Sequence, residues 1–429
     1  MTHFCAVFSF PVWSDDLYRY VYEGRALRSG WATPYEISPA LGMTFVHDDV
    51  RERVNHPEIC ASYPPFWQLA GYVLAKIGDG IQAPFIPFRV LFLLCDVGVA
   101  WLLLRRRGRR AFFCWMLHPL PFIELAHGAH LDALGIFLVL ASLLLVEKKA
   151  FLRGVLCGFA VGIKPIAAAA LFALPFFAPE KNEVEAEEHE NGKTNKSSSR
   201  RKIRLPFFFG MLFGIALPTL PFALADAPIF EGLSEYGQRW EAQPTGFALL
   251  KWPLSSLFTE RANEDRYAHL HLSRSPLGLL VEENGRIQWQ FGDAKKVARP
   301  VLLDDRLIAR GFALLLMGAA FLWLLKKRKP DITRAVLVLL WFFLFAPAVH
   351  PWYLLWPLAL ILAAQRRGWL DQGLWLSSAL SPLAYQAVVE FRVNGHWQEA
   401  IWPRVVVLIA FIAPWCVAKI QGQRRTRIS

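Results

Sequence analysis

The chain has 429 residues, of which 55% are hydrophobic and 19% charged, and its formal net charge is +12. Apolar residues come in runs such as FIPFRVLFLLCDVGVAWLLL (84–103), and roughly 20 apolar residues cross the core of a bilayer, which excludes a soluble globular domain. Nucleic acid is excluded as a partner too: the basic residues gather at the ends of apolar runs, at 105–110, 147–149, 200–204, 326–329, 366–367 and 424–427, which is the bias of cytoplasmic loops.

The first thirteen residues, MTHFCAVFSFPVW, lack the basic region and cleavage site of a signal peptide. They are too short for a full span, which points to a truncated first helix or a misassigned start. Next comes SDDLYRYVYEGRALRSGWATPYEISP (14–39). Asp15 and Asp16 stand at a helix start, where a carboxylate is first read as an N-cap and second as a general base or metal ligand. Arg19, Glu23 and Arg25 suit a solvated helix face with ordinary ion pairs, and Tyr18, Tyr20 and Tyr22 suit an interfacial aromatic belt.

Spans are expected near 84–104, 111–126, 131–146, 205–225, 307–325, 335–349, 352–364, 369–388 and 401–418. Each crossing moves the next segment to the opposite side, so the basic clusters test the count. The segment 66–80 holds Lys76 and Asp79; a crossing there would send five arginines to the wrong side, so it is read as an interfacial helix. The run 151–178 carries Lys164-Pro165 at its middle and is read as two short helices returning to one side. Such breaks are tolerated at membrane depth when buried in protein. With this parity every basic cluster is cytoplasmic, and 14–83, 127–131, 226–306, His350-Pro351 and 389–400 face outward. The expected organisation is an N-terminal membrane half over 1–178, a charged linker over 179–204 read as disordered, and a C-terminal half over 205–429 with a long outer loop, 226–306.

The outer face carries the remaining polar investment. HPLPFIELAHGAHLDAL (118–134) supplies Glu124, His127, His130 and Asp132. The last three can hold a divalent cation, although their spacing matches no specific metal motif and a polar capping loop explains them as well. Glu124 lies among apolar residues, where an acid is costly enough to suggest function. APAVHPWYLLWP (346–357) sets His350 beside Trp352, Tyr353 and Trp356; a belt explains the aromatics but not the His-Pro step. Lys164 is expected to pair with an acid, with Asp96 the proposed partner, or to reach an anionic lipid group. The six cysteines show neither a disulfide framework nor zinc spacing.

These stretches, together with TPYE, NHPEICASYPPFWQLA and GIKP, resemble the GT-C superfamily of membrane glycosyltransferases. They are most similar to bacterial polyprenol-phosphate-mannose-dependent mannosyltransferases. The resemblance runs from Ser14 to about Trp356. It implies an all-α, polytopic transmembrane fold with about 10–13 membrane helices and an outer catalytic loop (14–83) carrying interfacial helices. It implies Asp15 as the general base, with Asp16 as substrate ligand or alternative base. It also places Glu124, His130, Asp132, Lys164 and His350 around sugar and phosphate, with Arg19, Glu23, Arg25, His127, Trp352 and Tyr353 as further substrate contacts. Lys164, Arg239 and Arg392 are the phosphate candidates. The implied partners are a polyprenyl-phosphate sugar, mannose by default, a lipid or glycan acceptor, and membrane lipids, with reaction on the outer face of a bacterial plasma membrane. No cofactor is required by the pattern, and a divalent metal is compatible with it. A non-catalytic lipid or sugar transporter, or a degenerate relative, is the alternative.

Overall fold

The structure is a computed structural model that describes residues 3, 5, 8–9, 13–30, 33–42, 49–145, 149–172, 196–257, 279–283, 286–290, 305–327, 331–365, 368–395 and 398–428. The regular structure of these residues is helical apart from one antiparallel hairpin, Leu279–Glu283 with Arg286–Gln290, inside the long stretch 226–306. Among the described residues, four helices are long and apolar enough to span a membrane: Ile86–Arg107, Leu205–Leu224, Ile308–Lys326 and Trp402–Gln421. A fifth candidate is the pair Pro119–His127 and Asp132–Leu144, bent by 118° at its break. Shorter apolar helices cover Ala150–Val161, Ile332–Phe345 and Pro351–Ala364. Leu94, Phe209, Leu315 and Ile409 are among the large apolar side chains that these helices leave exposed, as a lipid-facing surface requires. The protein is a polytopic helical membrane protein.

Several boundaries differ from the sequence-based expectation. The expected span 369–388 is three pieces, Trp369–Leu380, a 3-10 turn Ser381–Tyr385, and Gln386–Asn394; Pro382 lacks the N–H that would continue the helix. The helix expected at 205 starts at Lys196, so 196–204 continue it, and the rest of the expected linker lies outside the described residues. Residues Pro65–Gly80 form one 16-residue helix opened by Pro65 in its first turn. The break near Lys164 falls as expected, between Ala150–Val161 and the 3-10 segment Pro165–Phe172.

The described chain forms two compact units. The larger comprises Met1–Gln238, Lys327–Leu339 and His350–Ser429. A close helix crossing joins Ala150–Val161 to Lys196–Leu224 through two small-residue ladders. A Cβ on Gly154 would collide with the Phe207 carbonyl, on Gly158 with that of Met211, on Gly210 with that of Phe151 and on Gly214 with that of Val155. Small residues four apart let two backbones touch where no solvent effect drives apolar helices together. A second core forms around Tyr20, whose ring meets those of Trp67 at 4.9 Å and Tyr63 at 5.5 Å, while Trp67 stacks on Phe92 at 5.8 Å. Tyr18, Tyr20 and Tyr22 are therefore buried packing residues, not the expected belt. The smaller unit, Arg239–Lys326 with Leu340–Val349, packs Phe247, Ala309 and Ala313 against Leu250, Leu254, Met317 and Phe345.

Candidate active site

The helix Asp16–Ser29 opens the site. Asp15 occupies its N-cap position but makes no side-chain cap bond; instead the Ser14 hydroxyl accepts from the Asp16 N–H at 3.2 Å. The capping explanation of Asp15 therefore fails, and its carboxylate is left exposed. Desolvation by the surrounding protein raises the Asp15 carboxyl above its ordinary range, against the opposing charge of Arg392 and with the help of Asp16.

Asp16 has the opposite character. Its Oδ1 accepts from Asn55 at 3.2 Å, its Oδ2 from the Tyr63 hydroxyl at 3.5 Å, and Oδ2 lies 3.4 Å from His130 Nδ1. Burial acts to raise this carboxyl, but His130 and Asn55 hold it well below the usual carboxylate range. Two adjacent aspartates thus have different jobs available: one exposed proton acceptor, one fixed anion.

His130 is buried between two acids. Its Nε2 is 3.2 Å from Glu124 Oε2. Both ring nitrogens sit off hydrogen-bonding alignment, so the contacts are ion pairs. Burial alone would lower the imidazole; Asp16 and Glu124 together push it up to about 9. Glu124 lies in a six-residue π-helical segment, Phe122–His127, a distortion frequently found at functional sites. The Tyr385 hydroxyl donates to the same Oε2 at 2.8 Å, and Trp13 stacks on Tyr385.

Trp352 closes the far side. Its ring stacks on His130 at 4.1 Å and on His350 at 4.3 Å. Burial draws the His350 imidazole down to about 3, Asp16 opposing and Lys164 and His130 reinforcing. The two histidines flanking one indole therefore differ in charge at neutral pH.

Lys164 binds Asp132, at 3.1 and 3.0 Å to its two oxygens, and lies 4.4 Å from the Tyr353 ring centroid. Trp356 donates to Asp132 Oδ1 at 2.6 Å. The expectation of an acidic partner holds, but that partner is not Asp96. Asp96 is occupied by His3 at 2.6 Å and Trp115 at 2.8 Å.

Other expected residues lie apart from this cluster. Arg19 braces the loop after it, donating to the carbonyls of Asn55, His56 and Ile59 and to Glu23. Burial lifts the Glu23 carboxyl, with Arg19 and Gln68 opposing. Arg25, with Arg28, clamps Asp79 at 2.9 and 2.8 Å, tying the first helix to Pro65–Gly80. Close packing at this joint requires Gly24, whose Cβ would meet the Gly71 carbonyl. His127 bonds Ser9 at 2.7 Å, so His127, His130 and Asp132 do not converge as a metal set. Among the described residues no three acids, histidines or cysteines are grouped as a metal site. Arg392 is exposed and acts on Asp15; the Arg239 side chain lies outside the described residues. Asn55, Tyr63 and Tyr385 join the site without having been singled out from sequence. The only signal for the first two was their place in the stretch 55–70.

The helix Asp16–Ser29 thus opens on two adjacent aspartates in different surroundings, with histidines and a lysine behind them. Residues 5–179 match the family model described as "Alpha-(1->6)-mannopyranosyltransferase, N-terminal domain", and residues 285–413 match the "MptB C-terminal domain". Together these matches, one in each half of the chain, support a membrane mannosyltransferase of the GT-C class. The chain is 26% identical to Alpha-(1->6)-mannopyranosyltransferase A of Mycobacterium tuberculosis, over 97% of this chain and 73% of the relative. It is 28% identical to the Corynebacterium glutamicum protein of the same name over 40% of this chain, which is 35% of that relative's length. No solved structure matches the chain.

Proposed function

We propose that the chain transfers mannose from a polyprenyl-phosphate donor to a hydroxyl of a lipid or glycan acceptor on the extracytoplasmic face, with inversion at the anomeric carbon. The observation that carries this reading is the division of labour between Asp15 and Asp16. Asp15 is exposed, uncapped and raised, which suits a general base at a hydroxyl. Asp16 is a fixed carboxylate beside a buried imidazolium, which suits orienting the sugar.

In the reaction the acceptor oxygen attacks C1 as Asp15 takes its proton. The bond from C1 to the phosphate oxygen breaks, and the electron pair leaves with the lipid phosphate. Negative charge grows on that phosphate, where a preorganised cation is most effective. Lys164 and Arg392 are the groups available for it. Lys164 is held in place by Asp132 and Tyr353 and keeps part of its side chain accessible.

The test uses membranes bearing the chain, radiolabelled polyprenyl-phosphate mannose and endogenous acceptors. Asp15→Asn is expected to abolish transfer at unchanged protein level, and the product of a β-linked donor is expected to be an α-mannoside by NMR. Transfer that survives Asp15→Asn, or a product retaining the donor's configuration, overturns the mechanism.

A further inference from the structure

The buried chain behind Asp16 has a geometry that a mere lining of the site does not need. Asp16 comes from the helix Asp16–Ser29, Glu124 and His130 from one local stretch, and the three stand in a row, carboxylate, imidazole, carboxylate, at 3.2 and 3.4 Å. Side-chain exposure is 0% for Glu124 and 1% for His130. An acid buried this deeply is too far from solvent to meet a substrate directly, and desolvating it is costly unless its charge is used. Three features hold it: the π-helical turn that carries it, the Tyr385 hydroxyl on Oε2, and Trp13 stacked behind Tyr385. Its other oxygen, Oε1, has no hydrogen-bond partner among the described residues, so the carboxylate is oriented by His130 and Tyr385. The ring of His130 is in turn fixed by Trp352.

We propose that Glu124 is a positioning residue that acts through His130 on Asp16, keeping the imidazole doubly protonated and Asp16 a fixed carboxylate while Asp15 turns over protons. This rests on the catalytic reading of the Asp15-Asp16 pair given above. The groups facing His130 are Asp16 from the first helix, Glu124 from the π-helical segment and His350 across Trp352; Tyr385 stands behind Glu124. Of these only Glu124 supplies negative charge to Nε2. Removing it leaves Asp16 as the single anion against His130, and an opposite charge at this range sustains about 1–3 pKa units.

The experiment compares wild type, Glu124→Gln and Asp15→Asn as purified full-length chains in lipid nanodiscs, with polyprenyl-phosphate mannose as donor. Glu124→Gln keeps the shape and the Tyr385 bond. It is expected to lower kcat about tenfold or more, to change acceptor KM less than threefold, and to move the alkaline limb of the kcat–pH profile down by about one unit. A parallel readout, independent of turnover, is the NMR titration of carbon-labelled His130 in the Asp15→Asn background. Its midpoint is expected to fall when Glu124→Gln is added. Transfer that survives Asp15→Asn removes the catalytic reading itself. Loss with Asp15→Asn, together with unchanged kcat, alkaline limb and His130 midpoint in Glu124→Gln, removes this proposal alone. Should Glu124→Gln not fold, Tyr385→Phe serves in its place: a His130 midpoint shift in the same direction supports the chain, and an unmoved midpoint overturns it.

Discussion

Trp352 and His350 are parallel to within 2°, their ring centroids 4.3 Å apart. The other indole face lies against His130, so one tryptophan separates a cationic imidazole from a neutral one. Stacked aromatic pairs contribute about 0.5–1.5 kcal/mol beyond their burial. Trp352→Leu is expected to lower kcat/KM about threefold to tenfold, while Trp352→Phe retains most of it. Steady-state transfer assays on both variants check this, and equal activities would mean that stacking plays no part.

The two adjacent aspartates are expected to separate in a stability assay. Asp16→Asn weakens contacts to Asn55, Tyr63 and His130 and is expected to destabilise by about 1–3 kcal/mol. Asp15→Asn alters an exposed group and is expected to stay within about 0.5 kcal/mol. Thermal unfolding in detergent distinguishes them, and the order of the two melting temperatures is the result that matters.

A pH dependence of stability arises from His130. Its folded value, about 9, lies above the ordinary 6.5, so the folded state binds the proton more tightly than the unfolded chain does. The stabilisation is complete below about 6.5, shrinks as pH rises, and is gone above about 9. Melting temperature is therefore expected to fall between those values in wild type and to be flatter across that window in His130→Gln. The acid limb of activity is expected above an ordinary carboxylate's range, because Asp15 is raised.

Lys164 and Asp132 are expected to be coupled. Lys164→Met leaves a buried carboxylate with Trp356 as its hydrogen-bond donor, and breaking a buried pair from one side costs about 3–5 kcal/mol. Adding Asp132→Asn is expected to recover part of that loss. A double-mutant cycle on unfolding measures it; strict additivity would show that the pair is energetically idle.

At the glycine crossing, Gly158→Leu drives a side chain into a backbone carbonyl, and overpacking of this kind costs about 1–3 kcal/mol. Gly80→Ala meets nothing nearby and serves as the neutral comparison in the same melting assay.

Much of this architecture was legible in the sequence because hydropathy acts over whole helices. The run at 84–104 appears as Ile86–Arg107, and the charged residues of 66–80 marked a helix of a different kind. The helix break at Ser381-Pro382 was hidden, since apolar residues continue on both sides and only the proline signals it. The site was legible in its acids and histidines, whose residue types are unusual in such surroundings. Their partners were not: Lys164 meets Asp132 across a fold 32 residues long, and Asn55, Tyr63 and Tyr385 carry no special spacing. Pairing is decided by tertiary packing, which local pattern does not encode. Asp15 illustrates the converse, since an N-cap and a free carboxylate look identical until Ser14 is seen making the bond.

Arg19 grips main-chain oxygens. The carbonyls of Asn55, His56 and Ile59 that it holds would be present whatever side chains stood there, except as proline or another residue altered the backbone path. Mutational tolerance across this loop should therefore be lopsided: His56, exposed but at a φ of 47°, should accept Gly, Asn or Asp better than β-branched residues, while Arg19 accepts none, lysine included, because a single ammonium does not reproduce a planar fork of five donors. The loop that delivers Asn55 to Asp16 thus takes three of its main-chain anchors from one residue, thirty-six positions upstream of the asparagine it serves.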